Sequence, residues 1–208
     1  MANSWTEAVQ RYSLVLASAS PRRMELLTNL GLEFKVIPSG IQENMDQSLP
    51  PEKLVLNLAQ AKARHVVAGL SDLDGPTIVI AGDTIVFIDG KAMGQPSSAQ
   101  EAKQMLGYLS GRCHKVYTGL AVISLPAGKM FSDYEVSSVY IRSLNSREIE
   151  TYVGTGESMD KAGAYALQGI GAALVEKVEG CVTNIIGLPV PLLVQMLRSA
   201  GVPVLGSI

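Results

Sequence analysis

The chain has 208 residues, of which 47% are hydrophobic and 17% charged, and it carries a formal net charge of −2. That balance suits one compact α/β domain over the whole chain, with its core from about residue 13 to about residue 200; it excludes the basic footprint of a duplex nucleic-acid binder while leaving a small anionic ligand open. No apolar run approaches the roughly 18 residues that span a bilayer, and no basic stretch leads into an apolar one near the start, so a cytoplasmic protein with no membrane partner is expected.

Leu14 to Ala17 is a short apolar strand candidate. Ser20 and Pro21 then open a helix, Ser as its cap and Pro at the first helical position, and Gly31 closes it. Phe34 to Ile37 reads as a second strand, followed by a polar, turn-rich segment from Pro38 to Leu49 and a longer helix from Pro50 to Gly69. Thr77 to Ile88 is an apolar run interrupted at Gly82-Asp83-Thr84, and Asp89-Gly90 marks a hairpin turn. Ser98 and Glu101 form a capping-box pair ahead of a helix that stops near Gly111. Val116 to Leu125 and Met130 to Leu144 read as long strands joined at Pro126 to Lys129, and Asn145 with Glu148 marks another helix start. The glycine-rich stretch from Gly163 to Gly171 leads into a strand from Ala172 to Val178, and a last helix begins near Pro189 to Pro191 and runs to Gly201. Helical units alternating with hairpins predict a mixed sheet rather than a purely parallel one. Cys113 and Cys181 sit in no metal-ligand spacing and read as reduced, part-buried thiols.

Four places break the pattern of a plain core. Asp83 interrupts a run of Ile and Val; a carboxylate there is either a turn residue between two shorter strands or a group that is paired, hydrated or metal-bound. Lys62 falls within the helical stripe of Val55, Leu58, Ala59 and Val66, either as a snorkelling side chain or as an amine aimed into a pocket. Ser18-Ala19-Ser20-Pro21-Arg22-Arg23 joins a strand to a helix N-terminus, where N–H groups, hydroxyls and guanidinium groups can meet an anion, yet it matches neither the P-loop nor the dinucleotide fingerprint. Met159 to Gly169 combines adjacent opposite charges, glycines, an aromatic ring and an amide. It is either a flexible connection or a backbone that approaches a ligand closely at its glycines.

Taken in order, LASASPRR, an acidic loop, LAQAKA, the GDT turn, LSGRCHKVYTGLAV, MDKAGAYALQG and IIGLP resemble the Maf family of nucleotide pyrophosphatases, from Leu14 to about Leu197. The resemblance implies a mixed twisted sheet with flanking helices, in two lobes around a central cleft, a fold shared with the inosine triphosphate pyrophosphatases. It implies cleavage of dTTP and UTP to the monophosphate and pyrophosphate, a house-cleaning role against non-standard nucleotides, a divalent cation (Mg²⁺, with Mn²⁺ or Co²⁺ as alternatives) and a homodimer. The alternative is a nucleotide-binding regulator of cell division or septum formation with weak catalysis.

The same resemblance assigns roles by position. Asp83 matches the general base and Glu43 a second catalytic or metal-binding acid. Arg23, Lys62 and Lys161 match the basic groups around the phosphates, with Ser18 and Ser20 in the phosphate loop. Arg22, Thr84 and Gln168 match three positions linked to base choice, and carry the residues of the dTTP- and UTP-cleaving subgroup. The chain departs from the family pattern at Gln95, where a lysine is usual, at Gln42, where an acid is usual, and at Ala81-Gly82, where Gly-Ala is more typical.

Overall fold

The computed structural model describes residues 4–42, 46–71 and 75–206. Its elements are α1 (Ser4–Val9), β1 (Ser13–Leu16), α2 (Pro21–Asn29), β2 (Lys35–Val36), α3 (Pro51–Ala68), β3 (Thr77–Ile88), β4 (Lys91–Met93), α4 (Ala99–Leu109), β5 (Cys113–Leu125), β6 (Lys129–Ile141), α5 (Ser146–Gly154), β7 (Val175–Glu179), α6 (Val182–Ile186) and α7 (Val190–Ser199). The strands form one sheet in the order β2-β1-β3-β5-β6-β7, with β4 joined to β3 off that path. β1 runs parallel to β2 and β3, whereas β3, β5, β6 and β7 are successively antiparallel, so the sheet is mixed, as the alternation of helices and hairpins predicts.

Period-two alternation divides the strands between two helical layers. Val15, Val79, Ala81, Ala121 and Ile123 pack with Ala59, Ala63 and Val66 of α3. Their neighbours Leu14, Leu16, Ile78, Ile80, Leu120 and Val122 pack on the other face with Leu27 of α2 and Leu193 and Leu197 of α7. A third cluster joins Ala102, Leu106 and Leu109 of α4 to Ile149, Tyr152 and Val153 of α5, with Val86, Val116, Val139 and Ile141 from the strands. Each fully buried Leu or Ile of this kind contributes about 1.5–3 kcal/mol.

Local chemistry accounts for the punctuation. Asp89 and Gly90 both take positive φ, 49° and 77°, the backbone of a tight hairpin turn between β3 and β4. Asn145 and Glu148 close a reciprocal capping box on α5. Ser98 accepts from the Glu101 N–H, but the Glu101 carboxylate turns to the N–H and hydroxyl of Ser97 instead, so only half of that expected box forms. Ser20 occupies the N-cap of α2 without a side-chain cap bond. The expected second strand shrinks to Lys35–Val36 at the sheet edge, and the strand expected from Ala172 begins at Val175, because Gly169–Leu174 coils into 3-10 turns. β6 ends at Ile141 rather than Leu144, Cys113 is exposed rather than part-buried, and the short helices α1 and α6 carry too few turns to show a period in sequence.

The largest correction concerns the middle of β3. It is one unbroken twelve-residue strand, and Asp83 pairs with Gly119 in the ladder to β5, so Asp83 is not a turn residue. On its other edge β3 is covered unevenly. β1 pairs with Thr77 to Ile80 and β4 with Val86 to Ile88, and among the described residues no strand pairs with 81–85 on that side.

Candidate active site

A cavity of about 660 Å³ opens beside this uncovered stretch of β3. Its lining includes Ser18, Ser20, Arg22, Arg23, Lys62, Asp83, Thr84, Lys161 and Gln168, residues that the sequence scatters over five elements and loops. Glu43 lies outside the described residues.

Strand parity places Asp83 on the same face as Val79 and Ala81, the face covered by α3. Lys62 comes from that helix, and its Nζ donates to Asp83 Oδ1 at 2.5 Å. Lys62 is 7% exposed and Asp83 4%, so the amine does not snorkel to water but ends on a carboxylate inside the protein. A buried pair of this kind is costly to desolvate and weak support for stability; what it supplies is a carboxylate and an ammonium held in fixed relation at the cavity wall.

Thr84 points to the opposite face, towards Arg23 of α2 and the Gly187 cap of α6. There Arg23 donates from Nε to the Gly187 carbonyl at 2.8 Å, from Nη1 to Ser18 Oγ at 3.0 Å and from Nη2 to Thr84 Oγ1 at 3.1 Å. Three chain segments therefore converge on one guanidinium fork, whose rigid donor pattern suits such a junction. Gly187 takes φ 119° as the left-handed cap of α6, a backbone conformation that favours glycine, and a Cβ there would lie in ordinary contact range of Thr84 Oγ1. Behind Thr84, the Thr118 hydroxyl lies 2.9 Å from its Oγ1 and donates to the Asn184 carbonyl at 3.0 Å.

On the other wall Arg22 Nη1 donates to Asp160 Oδ2 and its Nη2 to the Asp160 carbonyl, both at 2.8 Å. Lys161 Nζ donates to Asp160 Oδ1 at 2.5 Å and to the Glu157 carbonyl at 2.8 Å, and Gln95 Nε2 reaches the Asp160 carbonyl at 3.2 Å. Burial works against the charge of Asp160, but Lys161 and Arg22 outweigh it and hold its carboxyl below the ordinary aspartate value. Asp160 thus sets a half-exposed carboxylate between two cations of the cavity; the adjacent opposite charges of this stretch were visible in sequence, but they gave Asp160 itself no role.

The glycines after Lys161 serve the protein's own packing. A Cβ at Gly163 would lie 2.9 Å from Val86, one at Gly169 2.6 Å from the Glu157 carboxylate, and one at Gly171 2.5 Å from the Ala166 carbonyl. The close approach expected at these positions is therefore made by chain to chain. Tyr165 lines the cavity, and its hydroxyl lies 2.7 Å from His114 Nε2. Burial pushes the His114 imidazole down to about 4.

Among the described residues, no three His, Cys, Asp or Glu side chains gather to cage a metal. The cavity wall offers the Asp83 carboxylate, while Asp160 is engaged by Arg22 and Lys161. The Asp83 carboxylate fits a hard divalent cation that takes one or two carboxylate oxygens and completes its shell with phosphate oxygens and water.

A Caldicellulosiruptor bescii protein named dTTP/UTP pyrophosphatase is 47% identical over 188 residues, covering 90% of this chain and 94% of its own. One of the same name from Moorella thermoacetica is 48% identical over 195 residues, covering 94% and 98%. Among solved structures, the Staphylococcus aureus Ham1 protein aligns at 13% identity and a TM-score of 0.48, over 90% of this chain and 98% of that one. The model of the family described as Maf-like protein matches residues 13–200, and the chain belongs to the Maf family.

Proposed function

We propose that this protein hydrolyses dTTP and UTP to the monophosphate and pyrophosphate, clearing unwanted nucleotides in the cytoplasm as a homodimer. The observation that carries the reaction is the Lys62–Asp83 pair, buried at the wall of a cavity that also draws on Arg22, Arg23 and Lys161. The names of the two bacterial relatives support the choice of substrate.

The substrate brings about four negative charges, so the site must supply cations. Arg23 and Lys161 meet the triphosphate, with Lys62 beside them at Asp83 and the Ser18 and Ser20 hydroxyls as further donors. A divalent cation, Mg²⁺ or else Mn²⁺ or Co²⁺, held by Asp83 and Glu43 together with phosphate oxygens, would supply further neutralisation of the phosphates. Asp83 accepts the proton of the attacking water, a step worth typically 10²–10⁴-fold. The new P–O bond forms at the α-phosphorus, the bond to the bridging oxygen breaks, and pyrophosphate leaves with that oxygen. Lys62 holds Asp83 in place and balances its charge. Arg22, Thr84 and Gln168 choose the base, and the Gln168 amide offers both a donor and an acceptor to a pyrimidine edge.

The test is product analysis on a panel of triphosphates with Mg²⁺, Mn²⁺ and Co²⁺. Pyrophosphate from dTTP and UTP is expected; orthophosphate as the first product, or no turnover with any of the three, rejects the reading.

A further inference from the structure

The segment that carries Gln168 is held from behind by a carboxylate for which the proposed chemistry has no use. Glu157 Oε1 accepts from the Gly171 N–H at 2.9 Å and from the Tyr152 hydroxyl at 3.1 Å, while Oε2 accepts from the Ile170 N–H at 3.1 Å. The Tyr152 oxygen in turn accepts from the Ala166 N–H at 3.1 Å. Backbone donors on both sides of Gln168 are thereby tied to one side chain, directly or through Tyr152. The backbone carbonyl of Glu157 receives Lys161 Nζ at 2.8 Å.

The sequence is built for this contact. Gly169 sits at φ 66°, and a Cβ there would lie 2.6 Å from Glu157 Oε2; a Cβ at Gly171 would lie 2.7 Å from the Tyr152 hydroxyl. Glu157 itself stays out of the cavity lining, whereas Lys161, Ala166 and Gln168 belong to it. Burial disfavours its charge, but the two N–H groups, the hydroxyl and Lys161 outweigh that and hold the carboxyl below the ordinary glutamate value. An ionised carboxylate is acceptor-only, which matches a ring made entirely of donors.

We propose that Glu157 is a positioning residue for base recognition, its carboxylate clamping the 166–171 segment so that the Gln168 amide meets the base in one orientation while its carbonyl seats Lys161. The inference rests on the pyrophosphatase reading above. A hydrogen-bonding residue discriminates between bases only as well as its supports fix it.

The experiment compares kcat and KM for dTTP, UTP and GTP in the wild-type protein, Glu157→Gln, Tyr152→Phe and the double variant. In Glu157→Gln one acceptor becomes a donor facing another donor, so at least one clamp bond is lost. The expected result is a loss of about tenfold in kcat/KM for dTTP and UTP, carried mainly by KM, with a smaller loss for GTP. Tyr152→Phe keeps the ring in the core and removes the hydroxyl, and shifts the preference the same way by less. The double variant loses less than the product of the single effects, because both act through one clamp. A uniform loss on all three substrates, a pyrimidine preference unchanged from the wild type, or fully independent effects would overturn the clamp. Should Glu157→Gln fail to fold, Tyr152→Phe alone carries the comparison. A wild-type protein that releases no pyrophosphate sinks the proposed function instead, whereas an active wild-type with unaltered variants sinks only the role of Glu157.

Discussion

The carbonyl oxygen of Val55 occupies the space where a side chain at Gly119 would begin: a Cβ there would lie 2.4 Å from that oxygen and 2.8 Å from Leu56 N. Gly119 is also the ladder partner of Asp83. α3 therefore settles onto β5 at the point where Asp83 faces it, and Lys62, two turns beyond Val55, reaches the carboxylate.

Gly119→Ala tests that relationship. The clash is with backbone, which has no rotamer to swing away, so α3 must move or tilt. Overpacking of this kind costs about 1–3 kcal/mol. The expected outcome is a lower Tm together with a lower kcat, because the Lys62–Asp83 contact stretches. Wild-type kcat in a destabilised variant would show that the pair tolerates the shift.

Asp83→Asn removes the proposed base while keeping its size and one acceptor. A fall of about 10²–10⁴ in kcat is expected. The variant leaves the Lys62 ammonium opposite a neutral group, so some loss of stability accompanies it, short of the roughly 3–5 kcal/mol seen when a buried charge loses its partner outright. Pyrophosphate release measured beside a thermal melt separates the two effects. Near-full activity in a folded variant would move the base elsewhere, with Glu43 next in line.

Gln95 donates to the Asp160 carbonyl, beside the Arg22 contact. Gln95→Lys adds a cation to that wall, where a neutral amide now serves. A two- to fivefold rise in kcat/KM for dTTP or UTP is expected, the range of a partly exposed charge contact, with the larger gain at low salt. Steady-state kinetics at two ionic strengths decide it: a loss, or no change at either salt, shows a pocket already adapted to the neutral residue.

His114 predicts an acid-labile core. Its folded value lies near 4 because burial disfavours the imidazolium, against an ordinary value of 6.5. Between those two values the unfolded chain binds the extra proton, so stability is complete above pH 6.5 and falls as pH drops towards 4, by about 3 kcal/mol. His114→Gln keeps a hydrogen-bonding partner for Tyr165 but does not titrate. Denaturant unfolding at pH 7 and pH 4.5 should show a smaller difference in the variant than in the wild type; equal differences would assign the acid loss to other groups.

Much of the framework was decided by residues acting on their own neighbours. Asp89-Gly90 turns the hairpin because both can take positive φ, and Asn145 caps α5 because its side chain reaches an N–H three residues on. The order of short motifs was enough to place the family. Other features depended on partners far along the chain. Asp83 and Lys62 each had two readings, and the choice between them lay with Gly119, whose missing side chain lets α3 approach the sheet. Asp160 and Glu157 carry no periodic signal at all: one meets Arg22, 138 residues away, and the other meets Ile170 and Gly171 in a loop whose path only packing defines. Propensity and capping act within a turn or two and can be read along the chain, whereas the burial and pairing of a charge depend on which distant backbone lies within about 3 Å of it, and that is decided by the tertiary fold.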